Sequence, residues 1–289
     1  MPCYINLPLR WAYEQPAWAD WFVNGRIAPE LGLDAGALAL PNSWHKTMAA
    51  RFADAGLSCS VHLPFWNVDP CDSDAGKAAQ ARDSLRRGAE LAALYGVRHM
   101  VGHPYYQIEH RERDLSPWLE ASCRIWPELP RISGASLFLE NTYEQSPDAI
   151  AALVLSLQEE AAGGPDIGVC FDVGHWHSFG GKKTAEELEP WLDAFCPFAL
   201  HLHLHDNDGS SDQHLGMGEG GIPYDALWRK FDARNKAVTA TLEPHDTKSF
   251  AASMRWLATH NAVADRLGWI APQMEALPLT EIEKNIAKT

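Results

Sequence analysis

Short apolar, β-branched runs alternate with longer amphipathic ones eight times along this 289-residue chain. Residues 4–7, 34–40, 58–63, 98–102, 136–140, 168–172, 199–205 and 237–243 read as strands. The second of these is rich in Ala and Gly. Helical patterns follow over residues 75–95, 147–159, 184–195, 224–232 and 249–267. The first is the clearest, with Ala78, Ala81, Leu85, Ala89, Ala92 and Ala93 recurring at helical spacing. Ser146 before Pro147, and Thr184 ahead of Glu186 and Glu187, supply helix starts. A complete strand–helix alternation predicts an α/β fold of the (β/α)8 barrel type, a single domain over residues 1–267. Residues 268–289 form a tail that packs on the barrel or on a neighbouring subunit. An open doubly wound sheet would carry a Gly-rich phosphate turn after its first strand. Here that strand runs into Pro8-Leu9-Arg10-Trp11-Ala12 instead.

Composition narrows the partners. With 46% apolar and 21% charged residues the chain is globular rather than disordered. Its formal charge of −14 repels phosphate backbones and anionic membrane surfaces at long range. This argues against nucleic acid as the main partner, although a bound cation can reverse the sign inside a cleft. No stretch is apolar enough to span a bilayer, and the start resembles no secretion signal. Six scattered cysteines without a CxxC spacing read as reduced thiols, which points to the cytoplasm.

In such barrels chemistry collects at the C-terminal ends of the strands. Six of the eight expected strands deliver His, Asp or Glu there. The endings are His62-Leu63-Pro64, His103-Pro104, Glu140-Asn141, Asp172-Val173-Gly174-His175, His201 to Asp206 followed by Asp212-Gln213-His214, and Glu243-Pro244-His245. One histidine alone is most often a hydrogen-bonded rim residue. So many imidazoles and carboxylates converging on one mouth require cations, because unpaired buried charge is costly. Imidazole and carboxylate donors suit Zn, Mn, Fe or Co. On strand seven, His201, His203 and His205 share one face; His201 is expected to be buried, and His205 to lie behind the ligands or touch substrate. Aromatic residues crowd the expected mouth: Trp11, Trp18, Trp21, Phe65, Trp66, Tyr105, Tyr106, Tyr143 and Trp176. Of these, Trp11, Trp66, Tyr105 and Trp176, with His205 and His245, are the candidate substrate contacts, suited to a sugar, a nucleotide or a planar fragment.

These ordered motifs resemble the xylose-isomerase-like TIM barrels, the superfamily that includes endonuclease IV. The resemblance covers the whole barrel and extends to Glu140-Asn141-Thr142, His203-x-x-Asp206, and Gly216-Met217-Gly218-Glu219-Gly220. It implies up to three zinc ions. His62, His103 and Glu140 would hold the first. Glu140 would bridge to a second, held by Asp172, His203 and Glu243. His175, Asp212 and His214 would hold the third. Such ions activate water and neutralise phosphoryl oxygens, so the implied reaction is hydrolysis of a phosphodiester or phosphate ester. The loop Asn207-Asp208-Gly209-Ser210-Ser211 lacks the basic residue of the endonuclease, which favours a small nucleotide- or sugar-like substrate.

The same resemblance supports a rival. Sugar and sugar-phosphate isomerases or epimerases use one Mn, Mg or Co ion held by the residues matching Glu140, Asp172, His203 and Glu243. The two glutamates then serve as catalytic base and acid. The extra set of His62, His103, His175, Asp212 and His214 tilts the reading towards hydrolysis. A non-catalytic sugar-binding barrel is the third option. Oligomeric state is left open by the sequence.

Overall fold

The computed structural model describes residues 3–106, 115–160, 166–180 and 184–271. Eight parallel strands close into one barrel in chain order. They are β1 (Cys3–Pro8), β2 (Ala28–Gly32), β3 (Ser60–His62), β4 (His99–Gly102), β5 (Ser136–Glu140), β6 (Ile167–Asp172), β7 (Leu200–Leu204) and β8 (Thr239–Leu242). Cys3 opposite Ala240 closes the ring. Helices flank the strands, so the expected (β/α)8 architecture is the observed one. The expected tail lies outside the described residues beyond Ala271.

The two-residue period of the strands sorts the side chains. On β7, Leu200, Leu202 and Leu204 join the main apolar core under the helices. His201 and His203 take the opposite face. The register carries this inward set around the ring: Glu30 pairs with Ser60, Glu140 with Cys170, Asp172 with His203, and His203 with Thr241. Val101, Phe138 and Cys170 form a small apolar cluster of their own on that inner face. The barrel interior is therefore polar at its upper levels, where a barrel with no site there would be filled with Val, Ile and Leu.

The helix Ala75–Tyr95 shows how the surround is built. Asp74 caps it, accepting from the Gly76 and Lys77 amides at 2.8 and 3.0 Å. Gly96 ends it in the left-handed region at φ 59°. The face between them, including Ala78, Ala81, Leu85, Ala89 and Ala92, is buried.

Residues 34–40 are not the second strand. Asp34 instead caps the short helix Ala35–Leu38, its carboxylate accepting from the Ala37 amide at 2.6 Å. The second strand is β2, whose sequence Ala-Pro-Glu-Leu-Gly contains a proline and a charge that strand propensity disfavours. The expected last helix, 249–267, is two: Thr247–Thr259 and Asn261–Leu267. The break falls at His260, which has non-helical φ −119° and ψ 58°. Residues 184–195 divide into a 3-10 turn, Ala185–Glu187, and the helix Leu188–Phe195. Among the described residues no helix is long and apolar enough to cross a membrane. All six cysteines are free thiols.

One buried histidine away from the mouth makes a pH prediction. His45 donates from Nε2 to the Ala37 carbonyl at 3.1 Å and accepts at Nδ1 from the Tyr95 hydroxyl at 3.1 Å. Burial lowers its pKa from the ordinary 6.5. The unfolded chain therefore takes up a proton first. The stability contributed by His45 is complete above about pH 6.5 and is lost as pH falls below it. Urea titrations between pH 8 and 5 are expected to show a shallower acid loss in His45→Phe than in the native chain. Equal slopes would refute this.

Candidate metal centre

Glu140, the last residue of β5, stands at the centre of the mouth. Its Oε2 lies 3.2 Å from His62 Nε2 and 3.1 Å from His103 Nε2. Its Oε1 lies 3.2 Å from His175 Nδ1 and 3.4 Å from His203 Nδ1. Thus β3, β4, β6 and β7 each bring an imidazole to one carboxylate. Glu243, just past β8, approaches His203 Nδ1 from the other side at 3.3 Å. Asp172, the last residue of β6, lies 3.8 Å from the same nitrogen. The third group adjoins these, with Asp212 Oδ2 3.4 Å from His175 Nε2 and 3.1 Å from His214 Nε2. All nine side chains named from the sequence come together at one end of the barrel.

Backbone groups aim several of these rings. His62 donates from Nδ1 to the Leu63 carbonyl, His175 to the Asn141 carbonyl and His214 to the Glu243 carbonyl, at 2.9, 2.9 and 2.8 Å. Each bond fixes the tautomer that leaves Nε2 free to ligate. Asn141 ties β5 to β6: its amide group donates to the Asp172 carbonyl at 3.0 Å and accepts from the Asp172 amide at 2.9 Å. Asp206 organises the loop that carries Asp212 and His214. Its carboxylate accepts from the Asn207, Gly218 and Ile222 amides at 2.9, 2.9 and 3.1 Å. His214 itself has φ 49°, a left-handed conformation that costs a non-glycine residue about 1–3 kcal/mol and tends to mark functional sites.

The electrostatics suit a cation. Burial opposes charge throughout. Even so, Cys170 and the carboxylates of Glu243, Glu140 and Glu30 hold the His203 imidazole well above its usual range. Against the same burial, His203 and His103 hold Glu140 well below the usual carboxylate range. Burial pushes Glu243 up, with Glu140 and Glu30 adding to it against His203. Both ring nitrogens of His203, and Oδ1 of Asp212, are buried without a hydrogen-bond partner. The close sets His62–His103–Glu140, His62–His203–Glu243 and His175–Asp212–His214 each offer three ligand atoms within 4.8 Å of one another. A divalent ion fits this donor set, because it would satisfy orphaned nitrogens and carboxylates together.

The mouth opens into a cavity of about 610 Å³. Trp11, Trp18 and Phe65 line its walls, and His245 lines it beside His214. Arg10 is its one Lys or Arg among the described residues. Several expected substrate contacts lie elsewhere. Trp176 lies on the helix Val173–Phe179 and is wholly buried in the main core. His205 is also wholly buried, 3.2 Å from Asp172 and stacked on His214 at 3.7 Å. Trp66 is 79% exposed and is not among the residues lining the cavity, where its neighbour Phe65 stands. Tyr105 accepts from the Val68 amide at 3.2 Å and does not line the cavity. His245 stacks on the outer face of His214 at 3.6 Å.

Sequence reasoning missed Glu30. It is 1% exposed in the middle of β2, its Oε1 3.0 Å from His203 Nε2. A charged residue inside the apolar stretch 27–33 was the available signal.

Solved structures of other proteins share this barrel. A TTHB071 protein from Thermus thermophilus, soaked with ZnCl2, is 26% identical, with a TM-score of 0.69 over 92% of this chain and 98% of that one. A D-tagatose 3-epimerase-like protein is 19% identical, with a TM-score of 0.69 over the same shares. Endonuclease IV, also from Thermus thermophilus, is 20% identical, with a TM-score of 0.60 over 91% of this chain and 100% of that one. The last two likenesses show the fold. The chain spans 56% and 31% of the length of two uncharacterized curated relatives, from Methanocaldococcus jannaschii and Sinorhizobium fredii, matched at 27% and 30% identity. The profile of the xylose isomerase-like TIM barrels matches residues 26–260, and the chain belongs to that family.

Proposed function

We propose that this protein is a divalent-metal-dependent hydrolase of a phosphodiester or phosphate ester carried on a small nucleotide- or sugar-like molecule. The observation that carries this reading is the His175–Asp212–His214 group beside the Glu140 cluster, since proton transfer at a single ion does not need it. In this reading His62, His103 and Glu140 hold one zinc ion. Glu140, Asp172, His203 and Glu243 hold a second, and His175, Asp212 and His214 a third. Bound there, such ions supply a nucleophile at neutral pH and neutralise phosphoryl oxygens. The protein's own part is positioning. Glu140 joins the two inner groups, the carbonyl-anchored imidazoles keep their outer nitrogens aimed, and Trp11 and Phe65 wall the substrate away from bulk water. Among the described residues Arg10 is the one cationic side chain on the cavity wall, which favours a small substrate over a polymer, whose backbone is gripped by many.

The opposite displacement of the Glu140 and Glu243 carboxyls favours a second reading. Two carboxyl groups displaced in opposite directions across one site suit an acid–base pair, as sugar epimerisation or isomerisation at one ion demands. One experiment separates the two. His214→Ala is expected to lose one of three zinc equivalents and to lower hydrolysis of bis(p-nitrophenyl) phosphate by roughly 10²-fold or more. Unchanged hydrolysis would sink the hydrolase reading. Epimerisation of a ketohexose by the variant at native rate, with one metal equivalent bound, would establish the second.

A further inference from the structure

A buried polar layer lies beneath the mouth, unused by the chemistry above. Glu30 is its centre. Ser60 and Thr241 donate their hydroxyls to Glu30 Oε2, each at 2.9 Å. That leaves Oε1, which has no hydrogen-bond partner and faces His203 Nε2 at 3.0 Å. His203 is turned the opposite way from His62 and His214. His62, His175 and His214 present Nε2 to the carboxylates and anchor Nδ1 on a backbone carbonyl. His203 presents Nδ1 to Glu140 and Glu243, and no carbonyl meets its Nε2. Glu30 Oε1 stands 3.0 Å behind that nitrogen, close enough to pair with it electrostatically though not aligned as a hydrogen bond, on the side where the others meet a carbonyl.

We propose that Glu30 is the positioning residue of the centre: its buried carboxylate holds His203 in the tautomer that presents Nδ1 to the metal, and raises the basicity of that nitrogen. The inference rests on the metal reading of His203, which the hydrolase and isomerase readings share. A carboxylate behind a ligating imidazole does both jobs, and its loss typically costs 10- to 100-fold in metal affinity. The register supports the arrangement. Glu30 pairs with Ser60 on β3, and His203 pairs with Thr241 on β8, so the strands bring the two hydroxyl donors to one carboxylate. With two hydroxyls on Oε2, only Oε1 is free, and it points upward. His99 and His201 approach Oε2 only at 3.9 and 3.6 Å. His201 is already engaged at both nitrogens by Thr239 and Thr241, at 2.7 and 2.9 Å. That engagement argues against a separate ion among Glu30, His99 and His201.

The test uses the full chain loaded with zinc. Glu30→Gln keeps the shape and an acceptor for the two hydroxyls but removes the charge. Competition with a chromophoric chelator is expected to show zinc affinity at one equivalent falling roughly 10- to 100-fold. The downfield His203 Nε2–H proton resonance should move upfield, and Glu30→Asp should recover part of the affinity. Thr241→Val, which loosens Glu30 without touching its charge, should give a smaller loss and keeps the test open if Glu30→Gln does not fold. A folded Glu30→Gln chain with native zinc affinity and an unmoved resonance overturns the proposal, while native binding by the parent chain leaves the metal reading intact. A parent chain that binds no zinc refutes both. An additional equivalent lost equally in Glu30→Gln and His99→Gln, with no change at the others, makes Glu30 a ligand and also overturns it.

Discussion

Glu140→Gln is expected to abolish tight binding of divalent ions at the inner groups and to lower turnover by roughly 10³-fold. Side chains from four elements meet Glu140. One oxygen faces His62 and His103, the other His175 and His203. An amide of the same shape would accept with one atom only and would turn an N–H donor towards two imidazoles. The carboxylate is also the negative charge that offsets four buried rings, and its contacts with His203 and His103 hold it ionised despite burial. Its removal therefore empties the centre instead of merely weakening it. Elemental analysis of the dialysed variant, beside circular dichroism to show that it folds, checks this. A folded variant retaining full metal content, with turnover within a few-fold of native, would contradict the central place given to Glu140.

The barrel was readable because its strands are apolar on the helix side and end in chemistry-bearing residues on the other. Leu200, Leu202 and Leu204 alternate with His201 and His203 in a pattern that only a half-polar interior explains. All nine ligand candidates sit at strand ends or just after them, so locating the strands located the cluster. β2 escaped for a physical reason. Its Pro29 and Glu30 oppose strand propensity, and the barrel tolerates them because Glu30 is matched by Ser60, Thr241 and His203 from three other strands. No local pattern encodes a partnership that the closed ring creates. The aromatic residues were less legible. Position beside a motif says little about which way a ring turns, so Trp176 and Trp66, next to His175 and Phe65, went inward and outward respectively. His205, expected behind the ligands or facing substrate, is buried against Asp172 and His214.

That supporting position makes Gly174 the most sensitive backbone site near the centre. A β-carbon there would fall 1.9 Å from His205 Cε1 and 2.4 Å from its Nε2. The ring has nowhere to retreat. It is fully buried, in contact with Asp172 through Nε2, and packed against His214, which is in turn packed against His245. Gly174 is fixed as well, since its carbonyl accepts from the Asn207 side chain at 2.9 Å. Gly174→Ala should therefore displace the whole imidazole stack. The expected cost is about 3 kcal/mol, the upper end for overpacking a rigid interior. Urea unfolding of the metal-free chain reads that cost directly, and zinc titration should show the His175–Asp212–His214 group weakened more than the inner groups. The double variant Gly174→Ala with His205→Ala separates steric conflict from a helix effect. If the clash is the cause, removing the ring restores part of the stability, so the two changes cost less together than their sum. Additive losses, or a single variant within about 0.5 kcal/mol of native, would show that the stack yields and that His205 does not brace His214.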